Sequence, residues 1–258
     1  MGYKVMQIEV SNRCSLTCNY CPHPSQIRPK GDMTMDVFRK CMDLVERSDN
    51  PTHHGRKFVW LNHFGEPLLN PRLPAFIAYA DSRNIEVSFS SNGVDYQRKL
   101  FPRQLWEDLA RAGLRGVILS AHVKSEKTLR NHVGDIVKVI GTWKPKPDQL
   151  HDWAGQVDMD GYNSPGNPPP SARPCDYQVH DMFAVTWEGM LAACCYDIEG
   201  GVSLTIDDVL QNGYTFRQIA LCSKCRLGRG DAQWLMDPLK QIYGKRQASR
   251  QVTTSTVD

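Results

Sequence analysis

The chain has 258 residues, of which 41% are hydrophobic and 23% are charged, and its formal net charge is +3. This length suits one large α/β domain, or a barrel-like domain with a small appendage, and excludes two full-sized domains. No long run of Lys or Arg and no basic stripe interleaved with aromatic residues occurs, so we expect no nucleic-acid partner and no anionic-membrane partner.

Strand patterns and helix patterns alternate along the first half of the chain. Strands are predicted over 4–10, 57–65, 86–93, 116–123 and, from a weaker pattern, 148–155. Helices are predicted after an N-cap at Thr34, over 73–82, over 103–112, and after an N-cap at Ser125 with an apolar face that reaches Ile140. This alternation is typical of βαβ units with a parallel sheet. About four or five units are fewer than a closed TIM-type barrel requires, so we predict a partial (β/α) barrel of about five to six parallel strands.

The pattern changes in the second half of the chain. We assign residues 1–155 to the partial barrel, 156–174 to a connector rich in Pro and Gly, and 175–244 to a small second domain. In that domain we expect a hairpin that turns at Glu188-Gly189, and helices around 205–221 and 231–243. Residues 245–258 have little apolar surface to bury and are predicted to be disordered.

The first ten residues lack the charged and apolar regions of a signal peptide, and no stretch reaches the roughly 18 apolar residues of a spanning helix. We therefore expect a cytoplasmic protein with no membrane partner, in which cysteines stay free for metal binding or catalysis. The nine cysteines form an N-terminal group, a C-terminal group and one isolated residue: Cys14, Cys18 and Cys21; Cys175, Cys194, Cys195, Cys222 and Cys225; and Cys41. Cys41 lies on the apolar stripe of the first helix and is expected in the core. The two groups predict two metal sites.

The N-terminal group supplies three thiolates from one short loop that follows a strand. Thiolates are the ligands of iron-sulfur clusters, and a four-iron cluster with three protein ligands leaves one iron open for a substrate to chelate. A zinc site that recruits His23, or chance spacing, are the alternatives at this point.

The segment CSLTCNYC resembles the CxxxCxΦC signature of the radical S-adenosylmethionine (SAM) superfamily, with Tyr20 as its aromatic residue. The resemblance implies that Cys14, Cys18 and Cys21 hold a [4Fe-4S] cluster whose open iron binds the amino and carboxylate groups of SAM. Electron transfer into the sulfonium would then yield a 5'-deoxyadenosyl radical that abstracts hydrogen from a substrate. Tyr20 would lie near the adenine.

Three further segments, each at the end of a predicted strand, resemble SAM-binding elements of this superfamily. Gly65-Glu66-Pro67 resembles the GGEP element that binds the SAM amino group, with Phe64 in place of the first glycine. Ser91-Asn92-Gly93, together with Ser90, resembles a stretch that meets the methionine carboxylate and the ribose. Ser120 and His122 end the fourth strand, at a position expected to face SAM. Since ligands of such sheets bind at the carboxyl ends of the strands, these segments are expected to share one crevice with the residues around 151–155.

The spacing of Cys222 and Cys225 is typical of a metal knuckle that needs further ligands, which only Cys175 and the pair Cys194/Cys195 can supply. Spacing alone leaves zinc and a second [4Fe-4S] cluster equally open. The order Cys175, Gly189-x4-Cys194, Cys222-x2-Cys225 resembles the Twitch form of the SPASM extension. This resemblance implies a second, auxiliary [4Fe-4S] cluster held by Cys175, Cys194, Cys222 and Cys225, with Cys195 as a packing residue or an alternative ligand.

The compact length, the single-glycine GEP and the order of the C-terminal cysteines are similar to Twitch enzymes that oxidise a secondary alcohol of an aminocyclitol, as in butirosin biosynthesis. The resemblance implies a dehydrogenase that acts on a sugar or aminocyclitol and takes electrons from a flavodoxin- or ferredoxin-type donor. His151, Asp152 and Lys124 are the candidate catalytic bases or substrate-binding residues. The main alternative is a radical SAM enzyme that crosslinks or epimerises a short peptide. A zinc-stabilised binding module is the non-enzymatic alternative.

Overall fold

The computed structural model describes residues 2–53, 55–144, 153–157 and 174–225. The strands in these ranges are β1 (Lys4–Ile8), β2 (Thr52–His53), β3 (Arg56–Trp60), β4 (Ile85–Ser91), β5 (Val117–Ser120), β6 (Val139–Trp143), β7 (Met182–Val185) and β8 (Leu191–Ala192). The helices are α1 (Met35–Arg47), α2 (Leu73–Ser82), α3 (Arg103–Arg111), α4 (Glu126–Val133), α5 (Asp176–Val179) and α6 (Ile206–Asn212). Short 3₁₀ helices span His23–Ser25, Pro67–Leu69 and Ala220–Ser223.

All eight described strands belong to one sheet, in the order β6-β5-β4-β3-β1-β7-β8, with β2 paired to β3. The pairs from β6 through to β7 are parallel, whereas β8 pairs antiparallel to β7 and β2 antiparallel to β3. The fold is therefore the predicted partial (β/α) barrel. Strand β7 follows the predicted connector and yet pairs with β1, so the sheet continues from the first half of the chain into the second without a break.

The helices form where side-chain chemistry and apolar spacing agree. Thr34 caps α1 by accepting a hydrogen bond from the Val37 amide, and Ser125 caps α4 by accepting one from the Thr128 amide. Helix α1 buries an apolar face that includes Phe38 and Cys41, and the Phe38 ring stacks on Phe76 of α2 with the ring centroids 4.3 Å apart. Cys41 is therefore a core residue, as predicted. None of the helices in the described ranges has the length and apolar character that crossing a bilayer requires.

One predicted element near the end of the barrel is wrong, and a second lies mostly outside the described residues. The apolar spacing after Ser125 predicted a helix face that reaches Ile140, but α4 ends at Val133 and Ile140 lies in β6. Strand β6 forms because it pairs in parallel with β5, which residue spacing cannot show. A strand was predicted over 148–155 instead, but residues 153–157 form turns and residues 148–152 lie outside the described residues.

The hairpin at Glu188-Gly189 is confirmed by the antiparallel pairing of β7 and β8. The helix predicted around 205–221 is shorter than expected, because α6 ends at Asn212 and the chain then runs without regular structure to the 3₁₀ helix at Ala220–Ser223. The helix predicted around 231–243 and the predicted tail at 245–258 lie outside the described residues.

Candidate active site

A crevice of about 650 Å³ opens at the carboxyl ends of the parallel strands. Three of the predicted strand-end segments contribute to its walls: residues 63–66 after β3, residues 90–92 at the end of β4, and Ser120 and His122 at the end of β5. From the fourth segment Trp153 also lines the crevice. The crevice forms here because parallel strands direct all their carboxyl ends to one edge of the sheet.

All three cysteines of the N-terminal group line this crevice. They lie in the loop between β1 and α1, and the Cys21 amide donates a hydrogen bond to the Cys18 carbonyl oxygen at 3.1 Å. Burial raises the pKa of Cys14 to about 12, with smaller contributions from Glu66 and the neighbouring thiols, and raises that of Cys21 to about 11, with a smaller contribution from Cys18. Bare thiolates at Cys14 and Cys21 are thus unfavourable, and a group that brings positive charge, such as the iron of a cluster, would offset this cost.

Arg28 holds the cysteine loop against the second half of the chain. Its Nη2 donates to both carboxylate oxygens of Glu9, at 3.0 and 2.8 Å, and its Nη1 donates to Glu188 at 2.7 Å. Its Nε donates to the carbonyl oxygen of Ile198 at 2.9 Å. Burial raises the pKa of Glu9 to about 7, although Arg28 acts in the opposite direction. The paired charges therefore fix the loop on the hairpin that carries Glu188.

His23, the alternative zinc ligand, is also buried and lines the crevice. Its Nε2 lies 2.6 Å from the carbonyl oxygen of Asn12 and 3.2 Å from Lys30 Nζ. Burial lowers the pKa of His23. Within the described part of the chain, no group of three or more His, Cys, Asp or Glu side chains is arranged to hold a single metal ion.

The Gly65-Glu66 segment lies directly against the cysteine loop. The Glu66 amide donates to the Arg13 carbonyl oxygen at 2.7 Å, and Gly65 has a φ of +97°. A Cβ on Gly65 would lie 2.4 Å from the Ser11 carbonyl oxygen, so only glycine fits this close approach of two backbones. Pro67 begins the 3₁₀ helix that follows; it is buried and lies outside the described lining of the crevice.

The Glu66 carboxylate is almost completely buried and is oriented by three hydrogen bonds. Oε1 accepts from the Leu68 amide at 3.1 Å and from the Ser91 hydroxyl at 2.8 Å, and Oε2 accepts from the Asn92 amide at 2.8 Å. Burial outweighs these bonds and raises the pKa of Glu66 to about 7. A carboxylate offers about four acceptor positions, so one position remains for a donor such as an ammonium group.

The segment after β4 connects Glu66 to the cysteine loop. Asn92 Nδ2 donates to Ser15 Oγ at 3.2 Å and lies 3.9 Å from the sulfur of Cys14. The Ser91 hydroxyl accepts from the Gly93 amide at 2.9 Å. Ser91 and Asn92 line the crevice, whereas Gly93 shapes the turn behind them with a φ of +74°.

Tyr20 and His122 meet across the crevice wall. The Tyr20 hydroxyl lies 2.5 Å from His122 Nδ1, and the Trp153 Nε1 donates to the Tyr20 carbonyl oxygen at 2.8 Å. Burial lowers the pKa of His122, so its imidazole is neutral at pH 7. Ser120 lies 3.0 Å from the hydroxyl of Ser90. The predicted SAM-facing residues of β4 and β5 are thus brought together.

The C-terminal cysteines lie next to the elements of the second half of the chain. All nine cysteines of the chain are free thiols. Cys175 precedes α5, Cys194 and Cys195 follow β8, and the Cys225 amide donates to the Cys222 carbonyl oxygen at 3.3 Å. Burial, and to a smaller extent the thiols of Cys225 and Cys175, raises the pKa of Cys195 to about 12. Of these five residues, Cys195 is the one that the described lining of the crevice includes.

The three predicted catalytic residues are not brought to the crevice by the described structure. Lys124 follows β5 and is absent from the described lining, and His151 and Asp152 lie outside the described residues. Sequence reasoning did not single out several side chains that the structure places in the lining: Gln7, Asn62, His63, Trp153 and Tyr196. His63 and Trp153 belong to strand-end segments that the sequence did indicate, whereas Gln7 in β1 carries no local signal.

The comparisons with known proteins agree with this geometry. The model of the radical SAM superfamily matches residues 8–145. The chain is 27% identical over 120 residues to the tungsten-containing aldehyde ferredoxin oxidoreductase cofactor-modifying protein of Pyrococcus furiosus, a match that covers 46% of this chain and 31% of that protein. It is 30% identical over 118 residues to the PqqA peptide cyclase of Streptomyces rochei, which covers 45% of this chain and 29% of that protein. The matched segment thus spans only about a third of either relative.

Among solved structures, the chain is similar to the crystal structure of BtrN in complex with AdoMet and 2-DOIA. The TM-score is 0.58 at 19% identity, over 95% of this chain and 91% of that chain. At this identity the similarity shows a shared fold.

The family match covers more than half of the chain and includes the cysteine loop, Glu66 and Asn92. Three thiols that converge on a crevice, with a buried carboxylate beside them, suit the [4Fe-4S] cluster and the SAM that this family binds. The chain therefore belongs to the radical SAM superfamily.

Proposed function

We propose that this radical SAM enzyme is an oxidoreductase that dehydrogenates a secondary alcohol of a sugar or aminocyclitol. One observation carries the proposal: Cys14, Cys18 and Cys21 line the same crevice as Cys195, a member of the C-terminal cysteine group. Oxidation of an alcohol by a radical needs a site for hydrogen abstraction and a nearby one-electron acceptor. A second [4Fe-4S] cluster of the Twitch type, held by the C-terminal cysteines, would serve as the one-electron acceptor.

The chain's own residues position the reactants. The remaining acceptor position of Glu66 suits a hydrogen bond from the amino group of SAM, and Asn92 and Ser120 offer polar groups to its carboxylate and ribose. When bound, the two clusters supply the electron that splits SAM and the acceptor for the electron of the substrate. The substrate loses a hydrogen atom from its carbinol carbon, a proton from its hydroxyl and one electron, and its C–O single bond becomes a carbonyl.

The hydroxyl proton needs a neutral base near the substrate. The neutral imidazole of His122 lines the crevice and suits this role, beside the predicted candidates His151, Asp152 and Lys124. The electron that starts each turnover would come from a flavodoxin- or ferredoxin-type donor.

The described walls of the crevice favour a polyhydroxylated ring as substrate. The Trp153 ring lies 5.7 Å from Phe64 and 4.9 Å from Tyr196, between centroids, which makes an aromatic surface against which the apolar face of a ring can pack. Asn62 and Gln7 add neutral polar groups. Within the described lining there is no Lys or Arg to pair with a phosphate, whereas aromatic faces attract an ammonium group. These features support an uncharged or amino-substituted substrate.

A second candidate function is modification of a short peptide by a crosslink or an epimerisation. It is favoured by the 30% identity over 118 residues to a protein named as a PqqA peptide cyclase. That match covers 45% of this chain and 29% of that protein, so it supports this candidate less than a match over the whole length would.

Anaerobic turnover with SAM, a reductant and candidate substrates tests the proposal. An aminocyclitol deuterated at the carbinol carbon should transfer deuterium to 5'-deoxyadenosine, and the product should form an oxime with hydroxylamine because it carries a new ketone. Formation of 5'-deoxyadenosine without any oxime from a panel of sugars and aminocyclitols, together with a change in mass of a peptide substrate, would establish the second candidate instead.

A further inference from the structure

Gln7 offers two open hydrogen-bond donors to the crevice. This residue of β1 is 4% exposed and lines the crevice. Its Oε1 accepts a hydrogen bond from the hydroxyl of the fully buried Tyr177 at 3.2 Å, which fixes the orientation of the side-chain amide. Among the described residues, nothing pairs with Gln7 Nε2. Because a polar group removed from water is costly unless it is hydrogen-bonded, this NH₂ group calls for an acceptor on a molecule in the crevice.

Asn62 repeats this arrangement just after β3. Its Oδ1 accepts a hydrogen bond from the Ser90 amide at 3.0 Å, and no partner of its Nδ2 occurs in the described ranges. Gln7 is the register partner of Trp60 in the parallel pair of β1 and β3, and Asn62 lies two residues beyond Trp60. Side chains two residues apart on an extended chain lie on the same face. Gln7, Trp60 and Asn62 all line the crevice, and together they are called the amide wall.

The amide wall lies on the side of the crevice that adjoins the second cysteine group. Trp60 and Tyr177 belong to one buried cluster of side chains that includes Cys194, and Cys175 and Cys195 pack against this cluster. The residues assigned to SAM lie instead in the cysteine loop and in the strand-end segments. A substrate that is bound between the two cysteine groups, as the proposed oxidation requires, would therefore contact the amide wall.

The open groups of the amide wall select oxygen rather than nitrogen. An N–H group needs an acceptor, and hydroxyl, ether and carbonyl oxygens accept hydrogen bonds, whereas an ammonium only donates them. Glu66 is the only carboxylate in the described lining, and its open acceptor position is assigned to the amino group of SAM. Contact with aromatic rings offsets only part of the cost of removing an ammonium from water. An uncharged polyol therefore fits this crevice better than an aminocyclitol does.

We propose that Gln7 and Asn62 are specificity-determining residues that each donate a hydrogen bond to an oxygen atom of the substrate, and that this substrate is an uncharged polyol, either a cyclitol or a sugar. The inference rests on the proposed function and narrows its substrate class. The two amide oxygens stay bound to Tyr177 and to the Ser90 backbone, so both donors are held in place before the substrate binds. This preorganisation lowers the entropy cost of binding.

Two variants of Gln7 test the assignment in the full-length protein, reconstituted anaerobically and saturated with SAM. No reductant is added, so equilibrium dialysis gives the dissociation constants of scyllo-inositol and of its monoamino derivative, in which an ammonium replaces one hydroxyl group. Gln7→Leu should weaken the binding of scyllo-inositol about fivefold, because one hydrogen bond is lost. Gln7→Glu keeps an acceptor for Tyr177 but replaces the open donor by an acceptor. It should shift the ratio of the two constants about tenfold toward the amino derivative, and Asn62→Asp should shift it in the same direction.

Gln97→Glu is the matched control, because it adds the same charge at an exposed position outside the described lining, and it should leave both constants unchanged. If Gln7→Leu does not fold, Gln7→Glu decides, since it keeps the acceptor of Tyr177. An unchanged ratio in either acidic variant overturns the inference. So does a wild-type protein that binds the amino derivative more tightly than scyllo-inositol, or that does not bind scyllo-inositol.

Failure of the proposed function gives a different result. The binding measurement involves no turnover, so it is independent of the reaction that follows. A polyol that binds with the expected dependence on Gln7 but yields no ketone after a reductant is added would refute the proposed dehydrogenation and not the recognition site.

Discussion

Replacing Gly65 by alanine is expected to destabilise the protein strongly and to weaken SAM binding. The new Cβ would lie 2.4 Å from the Ser11 carbonyl oxygen and 2.8 Å from the Arg13 carbonyl oxygen, and both contacts are with backbone that no rotamer change can move. The residue would also keep a φ of +97°, which L-residues rarely adopt. The clash therefore has to separate Glu66 from the cysteine loop.

Three effects lower the free energy of unfolding of the Gly65→Ala variant. The positive φ costs about 1–2 kcal/mol, the displaced backbone about 1–3 kcal/mol, and the lost hydrogen bond between the Glu66 amide and the Arg13 carbonyl oxygen about 1 kcal/mol. The sum of about 3–6 kcal/mol is a large part of the roughly 5–15 kcal/mol that stabilises a typical domain. Because Glu66 moves with Gly65, SAM binding should weaken in the fraction that remains folded.

Gly213→Ala is the matched control. Gly213 has a φ of +75°, but a Cβ there would meet nothing within 4 Å, so this variant carries the backbone strain without the clash. Anaerobic urea denaturation gives the free energy of unfolding, and equilibrium dialysis gives the affinity for SAM. The control should lose about 1–2 kcal/mol and keep its affinity for SAM. If Gly65→Ala loses no more stability than Gly213→Ala, the close packing of these two backbones does not matter and the reasoning is refuted.

Three further outcomes are expected. Wild-type affinity for SAM should rise about tenfold between pH 6 and pH 8, because burial raises the pKa of Glu66 to about 7 and only the ionised carboxylate has an acceptor position open to the SAM amino group. Equilibrium dialysis of Glu66→Gln should show no such rise, and a parallel rise in this variant would exclude Glu66 as the titrating group. Tyr20→Phe keeps the aromatic ring but removes the hydroxyl that hydrogen-bonds to His122, and should weaken SAM binding about fivefold. An unchanged dissociation constant for SAM would show that this hydrogen bond does not orient the Tyr20 ring. Arg28→Ala leaves Glu9 buried without its partner and should lower the free energy of unfolding by about 3–5 kcal/mol at pH 8. Urea denaturation should show a smaller decrease at pH 5, because Glu9 has a raised pKa and takes up a proton there. An equal decrease at both pH values would contradict this account.

The barrel elements with strong local signals were predictable from the sequence. Helix α2 was predicted over the same residues that it occupies, and Thr34 and Ser125 cap the helices that they were expected to cap. Apolar spacing failed where a tertiary partner decides the conformation. Residues 133, 137 and 140 are spaced like a helix face, yet Ile140 joins β6 because the edge of β5 is available for pairing.

The candidate site likewise consists of motifs that the sequence shows and of contacts that only the structure shows. The cysteine loop, Glu66 and Asn92 are recognisable because each motif is short and continuous in sequence, and their resemblance to the superfamily's motifs implies the chemistry that residue types alone leave open. The contacts that surround the motifs are long-range: Arg28 meets Glu9 and Glu188, and Tyr20 meets His122. Spacing along the chain carries no information about such pairs.

By itself, the sequence determined a partial barrel and two groups of cysteines, because periodicity and ligand spacing are local properties, and the resemblance of the first group to a known signature implied the radical SAM superfamily. Only the tertiary structure decided that β7 pairs with β1 and that Cys195 lines the crevice of the N-terminal cysteines. The physical reason is that strand pairing and side-chain burial depend on neighbours more than a hundred residues away in the chain, which no local pattern encodes.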